Sequence, residues 1–475
     1  LSKDAAWEKT MSQAKRKTDA IDRTRALAEE IGHLTFDALA PEDVAQLKRL
    51  LLDHLGVGLR GSALPWGLAL QKYATPYGGT GKCTIYGSAL KTTVPVAALV
   101  NGTSAHGLEM DDTHDQTLSH PGCLVIATAL AAGQAQDRSG AEVLAAIAAG
   151  YEVMARAGLA TGAQETVNKG FHSTALYGGF GAAAAAGLLI GLDTDRMCRA
   201  WGLMLSMAGG SKQFAHDPYG TTVKRLHGGM PAHNGALAAE LSALGIDGPD
   251  QAFDGIFGLG NLFGDNPRPE RLERVPGDPL QIHKVSFKPY PCCRLFHSTI
   301  DALSEVTDGF KTAPDDVEKI LVGVPEVTIT QHMMRRPDSV MAAQYALPHA
   351  LATSLIADPY AYESYEEDTL HDPALLALSD RINAIQAPEI EKEFPVHMGS
   401  WVELTLKSGE QRKVTVMDSQ GTPARPFTQA TLEEKFRTLA QVVKPDIDSA
   451  AVFELVHALP GADSIEPLLN QFELR

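Results

Sequence analysis

The chain has 475 residues, too many for one ordinary core, so two domains are expected. Its 44% hydrophobic and 21% charged content is that of a globular protein and excludes a disordered one. A net charge of −17 argues against nucleic-acid and anionic-membrane binding, which need a basic face; an acidic substrate remains open if a pocket gathers Lys, Arg and His.

Residues 1–22 are polar and charged without an apolar signal core, and are expected to be a disordered segment or an upstream remnant, with Met11 a candidate natural start. From Arg23 the pattern is helical; Pro41-Glu42-Asp43 opens a helix with Val44, Leu47, Leu51 and Leu55 on one face. From Val94 to about Gly260 the text is dominated by Ala, Gly and Leu, small residues that let helices pack closely. No stretch is expected to span a membrane; Tyr177 to Ile190 comes nearest. After Pro279 the pattern changes. Val317 to Val327 alternates like a strand, and Trp401 to Met417 reads as a hairpin turning at Ser408-Gly409. Ser339 to Leu355 and Asp372 to Ala387 read as helices between them, and Thr431 to Glu434 as a capping box opening a final helical stretch that returns to the first domain. The expected fold is mainly α: a helical domain over 23–280, a smaller α+β domain over 281–422, and C-terminal helices over 423–475.

Five cysteines, Cys83, Cys123, Cys198, Cys292 and Cys293, form no framework, and reduced thiols in a cytoplasmic protein are the simplest reading. Gly78 to Lys82 imitates a phosphate loop but has Pro76 and Cys83 where Gly and Ser or Thr are needed, and Gly179-Phe180-Gly181 lacks the strand of a dinucleotide fingerprint. The densest chemistry lies in HGLEMDDTHDQTLSHPG, His106 to Gly122. Titratable groups inside apolar sequence are costly unless they are used. Two readings stand: Asp111, Asp112 and Thr113 cap a helix or line a solvated loop, or the segment delivers an acid and a base, with His120 fixed before Pro121-Gly122. Its spacings match no standard metal set, and no metal is expected. Further along, His172 stands where a helix should start, and Lys224, Arg225, His227 and His233 crowd a segment that reads as a solvated loop or a carboxylate site. FKPYPCCR then offers Lys288 and Arg294 from a proline-stiffened loop, with the Cys pair read as packing.

LLLDHLGVGLRG, NGTSAHGLEMDDTH, the SHPG turn, GFHST, TTVKRLHGGMPAHNG and FKPYPCCRLFHSTIDA occur in the order seen in the MmgE/PrpD family, which the chain resembles from about Arg23 to its end. That family contains 2-methylcitrate dehydratase, cis-aconitate decarboxylase and iminodisuccinate epimerase. The resemblance implies a helical domain with an α+β lid and the active site between them. It also implies a homodimer, no cofactor, and chemistry beside a carboxylate of a small di- or tricarboxylic acid. It assigns His120 as principal acid/base and His172 as its partner. Lys224, Lys288, Arg294 and His227 hold substrate carboxylates, Glu109 and Asp112 orient and tune the histidines, and Thr113 and Tyr345 donate hydrogen bonds. Glu109 stands where the decarboxylase branch usually has Asp. The expected function is a cofactor-independent lyase, a dehydratase or decarboxylase. An epimerase is the first alternative and a non-catalytic carboxylate-binding protein the second.

Overall fold

Helices begin where the sequence supplies caps. Asp22 accepts from the Arg25 amide to open Arg23–Gly32, Pro41 opens Pro41–Ser62, and Ser139 and Glu142 cap each other at the start of Gly140–Thr161. The computed structural model describes residues 22–217 and 221–474, so the segment expected at 1–22 lies outside the described residues apart from Asp22.

At the centre, helix Val223–Ala243 packs against Val94–Gly107 and Ser173–Ile190, with Gly122–Ala135 and Gly140–Thr161 behind them. Glycine sets how near they come. A Cβ on Gly228 would lie 2.5 Å from the His106 Cβ and 2.6 Å from the Gly102 carbonyl oxygen. That contact brings the first turn of Val223–Ala243, with Lys224 and Arg225, beside the end of Val94–Gly107.

Contrary to the expectation from sequence, two helices are long and apolar enough to cross a membrane, Gly140–Thr161 and Ser173–Ile190. Both are core helices here, 94% and 89% buried, and a helix apolar on every side is what a central position requires.

A second core, with Leu303, Ile320, Val322, Leu351 and Val402, belongs to a smaller α+β unit. Its four-stranded sheet runs Ile382–Gln386, Val317–Val324, Ser400–Leu406, Gln411–Val416, the first pair parallel and the others antiparallel. Gly409, at a φ of 88°, turns the hairpin.

Three expectations fail locally. Lys224, Arg225, His227 and His233 stand on the helix Val223–Ala243 and not on a loop. Residues 372–387 are not one helix: Pro373–Ser379 is helical and Ile382–Gln386 is a strand. Leu375, Leu378 and Ile382 stand at helical spacing, but the open edge of Val317–Val324 recruits the last of them into a parallel pair, Ile320 opposite Ile382. The final stretch is capped by Thr428, whose hydroxyl accepts from the Thr431 amide, so Thr431 lies inside the first turn of Gln429–Val443. This helix packs on Pro41–Ser62 and places Leu432 and Phe436 in the helical core. Between the two units, Thr113–His114 pairs antiparallel with Val285–Ser286, tying the segment after Glu109 to the chain that enters the α+β unit.

Candidate active site

The segment from His106 to Gly122 leaves the end of Val94–Gly107, crosses the seam between the units and starts Gly122–Ala135. It is held in an unusual backbone: Glu109 has a φ of 62° and Leu118 of 51°, left-handed values that cost energy for residues other than glycine. What over-determines Glu109 is charge. Its fully buried carboxylate receives Lys224, Arg225 (2.7 Å) and Lys288 (3.4 Å), and the Lys288 ammonium also donates to the Glu109 carbonyl at 3.3 Å. Burial alone would push this carboxyl up; Lys224, Lys288 and Arg225 together hold it well below the carboxylate range. Burial lowers the Lys224 ammonium despite Glu109, whereas Glu109 and Asp111 outweigh burial at Lys288 and raise it.

Asp111 faces the histidines. Its Oδ2 lies 2.7 Å from His106 Nδ1 and 3.5 Å from His120 Nδ1, and those two rings with Lys288 hold its carboxyl low against burial. His120 Nδ1 also stands 2.9 Å from the Asp112 carbonyl oxygen and 3.4 Å from the Thr113 hydroxyl. A carbonyl only accepts, so Nδ1 carries the proton and Nε2 is the basic nitrogen. Burial drives the His120 imidazole well below its ordinary value, with Asp111 opposing, and the ring is neutral near pH 7. His172 immediately precedes Ser173–Ile190 without capping it, and its Nδ1 stands 3.0 Å from His227 Nδ1. Burial, then the neighbouring His227 and Lys224, keep it neutral as well.

A cavity of about 100 Å³ opens on these groups. Of the residues expected from sequence, Thr113, His120, His172, Lys288, Arg294 and Tyr345 line it. Glu109, Asp112, Lys224 and His227 lie behind the lining. Lys224 stacks over the Tyr345 ring at 5.2 Å, and Arg294 is anchored by Asp115 (2.8 Å) and Ser419 (3.1 Å).

Two roles are corrected. Glu109 does not orient a histidine; it neutralises the cations. The Asp112 carboxylate touches no histidine either: it accepts from the Tyr151 hydroxyl (2.6 Å) and the Gly122 amide (2.8 Å), while its neighbour Asp111 faces the rings. The sequence Asp-Asp does not say which of the two faces the site.

Burial raises the Asp112 carboxyl to about 7, against those two hydrogen bonds. In the unfolded chain the group ionises near 3.9. The stability this shift contributes is therefore complete below about pH 4 and is lost as pH rises through 7. Asp112→Asn keeps an acceptor for the Gly122 amide and can reverse the other bond, donating its own amide N–H to the Tyr151 oxygen, and should fold. In urea unfolding, the stability of wild type relative to the variant should fall between pH 4 and pH 8. A difference that does not change with pH would remove the assignment.

Sequence reasoning gave no site role to His106 or Asp111, although each sits in the segment it singled out; it gave Arg225 only a part in a carboxylate-site alternative, and Gln344 only a place as the neighbour of Tyr345. Gln344 Oε1 accepts from Arg225 at 2.6 Å and its amide donates to the Pro291 carbonyl at 2.8 Å, linking the two units. Lys212 and Phe214 also line the cavity, and no sequence pattern marks them. As for a metal, His106, Asp111 and Cys123 bring one donor atom each within 4.8 Å of one another. Burial pushes the Cys123 thiol well up and it donates to the His120 carbonyl at 3.2 Å, the behaviour of a neutral buried thiol.

Residues 25–272 match the MmgE/PrpD N-terminal domain, and residues 290–459 the MmgE/PrpD C-terminal domain. The chain belongs to the MmgE/PrpD family. Among curated members, a cis-aconitate decarboxylase-like protein of Aspergillus oryzae is 27% identical over 85% of this chain and 87% of its own. The cis-aconitate decarboxylase of Aspergillus terreus is 25% identical over 92% and 93%, and that of Mus musculus 28% over 88% and 86%. In this MmgE/PrpD member the two matched domains carry opposite walls of the cavity: Thr113, His120, His172 and Lys212 from the first, Arg294, Gln331 and Tyr345 from the second.

Proposed function

We propose that the protein is a cofactor-independent lyase, a dehydratase or a decarboxylase, that eliminates water or carbon dioxide beside a carboxylate of a small di- or tricarboxylic acid. The coarse class, a lyase-type enzyme of the MmgE/PrpD family, rests on the two domain matches and on the decarboxylase relatives. The observation that carries the finer reading is His120, a neutral imidazole with its Nδ1 proton committed to a backbone carbonyl, lining a cavity rich in cations.

Around that cavity stand the cations Lys212, Lys224, Arg225, Lys288 and Arg294, against the carboxylates Glu109, Asp111 and Asp115. The site carries excess positive charge in a chain of net charge −17, which suits an anionic substrate. His120 Nε2 takes or returns the proton at the reacting carbon, and His172 is its partner. Lys288 and Arg294 hold substrate carboxylates and stabilise the enediolate-like charge that develops there. Thr113 and Tyr345 donate hydrogen bonds, and Asp111 orients His120. Lys224 and Arg225 act from behind the lining, where with Glu109 they keep Lys288 in place. Lys288 and Arg294 open the α+β unit, so substrate draws that unit onto the helical one as a lid and excludes water.

A second reading has its own support. His120 and His172 line one cavity with ring centroids 6.5 Å apart, the two-base arrangement an epimerase uses. Incubation with a panel of di- and tricarboxylates, cis-aconitate included, followed by mass spectrometry separates the two. Loss of carbon dioxide or water supports the lyase; unchanged mass with deuterium uptake supports the epimerase; binding without either points to a non-catalytic carboxylate-binding protein. A homodimer, suggested by the family resemblance and the Ala/Gly-rich helices and checked by a molar-mass measurement, is part of the proposal, as is a cytoplasmic location, which five free cysteines suit.

A further inference from the structure

Four of the cations around the cavity have a carboxylate partner: Lys224, Arg225 and Lys288 share Glu109, and Arg294 has Asp115. Lys212 differs. It lines the same cavity, yet among the described residues its Nζ meets only a neutral amide, donating to Gln331 Oε1 at 2.7 Å, and forms no ion pair. Burial lowers its ammonium, with only the Cys293 thiol opposing. A half-buried charge without a counter-ion is costly and persists where a ligand's charge completes the pair.

Its place is set by the backbone that carries His172. The Lys212 amide donates to the Gly170 carbonyl (2.7 Å) and the His172 amide to the Gly210 carbonyl (2.9 Å), around a bridge between Phe171 and Ser211. Gln331 is the last residue of Glu326–Gln331 in the α+β unit, so the Lys212–Gln331 contact crosses from one wall of the cavity to the other.

We propose that Lys212 is the specificity residue for a further substrate carboxylate, beyond those held by Lys288 and Arg294, and that Gln331 holds its ammonium until that carboxylate arrives. The preferred substrate is then a tricarboxylate. This rests on the reading of the cavity as a carboxylate site. The test uses two unreactive probes that differ by one carboxylate, tricarballylate and glutarate, titrated calorimetrically into the full-length protein. Wild type should bind tricarballylate about tenfold or more tighter than glutarate. Lys212→Met should lose that advantage and keep glutarate affinity within about twofold, and Lys212→Arg should restore most of it. Because Lys212→Met removes a charge without a counter-ion, it should melt no lower than wild type. Equal weakening of both probes, or of neither, overturns the assignment of Lys212. Wild type binding neither probe overturns the carboxylate-site reading itself, and is visible before any variant is made.

Discussion

His120→Ala should abolish exchange of substrate α-protons into deuterated solvent and lower turnover by about 10²–10⁴, the usual contribution of a positioned general base. His120 is the ring whose tautomer is dictated by the backbone: the Asp112 carbonyl at 2.9 Å requires the proton on Nδ1, which leaves Nε2 free to act. The variant should remain folded, because the carbonyl it abandons costs about 1–3 kcal/mol at most if water does not reach it. Circular dichroism and a melting curve check this. His172 is the control, since its Nδ1 is engaged with another imidazole, that of His227 at 3.0 Å. Exchange within threefold of wild type in His120→Ala, with loss in His172→Ala, would move the principal base to His172.

Glu109→Gln should destabilise the protein by about 3–5 kcal/mol in urea unfolding and remove activity, because it leaves Lys224 and Arg225 buried without their carboxylate partner and Lys288 with only Asp111, at 3.8 Å. The sign of the pH dependence follows from the depressed carboxyl. Its stabilisation is present above the ordinary value of 4.5 and is lost as pH falls below it, so wild type and variant should converge in stability under acid. Glu109→Asp keeps the charge but shortens the arm, and should retain more stability than the Gln variant. Equal losses in both would show that reach, not charge, is what Glu109 supplies. The same pair of variants separates site from scaffold: Lys288 lines the cavity while Glu109 does not, so activity lost in Glu109→Asp beyond its stability loss reports a displaced Lys288 ammonium.

Much of this site can be read without a structure because its residues are local. His106 to His120 is dense in titratable groups within apolar sequence, and burial confirms the cost that this placement implies: Glu109, Asp111, Asp112 and His120 are all buried. Roles are harder. Asp111 and Asp112 are chemically identical neighbours, and the left-handed turn at Glu109 sets which carboxylate meets the rings. Lys212 lies in a segment with no periodicity or motif, and becomes visible only when the chain places Gln331 opposite it, more than a hundred residues further on. The strand Ile382–Gln386 fails for a related reason: a short apolar spacing fits a helix as well as an edge strand, and the neighbouring strand decides.

By itself, then, the sequence determined the helical class, the start of the helix at Pro41 and the residue types that gather at the site, because propensity and hydrophobic pattern act over a few residues. The tertiary structure alone decided that Glu109 neutralises cations, that Asp111 faces His106 and His120, and that cations from two cores meet at one cavity. Those outcomes depend on burial and on charges brought together across long stretches of chain, where Coulomb attraction and desolvation are large and no local pattern records them.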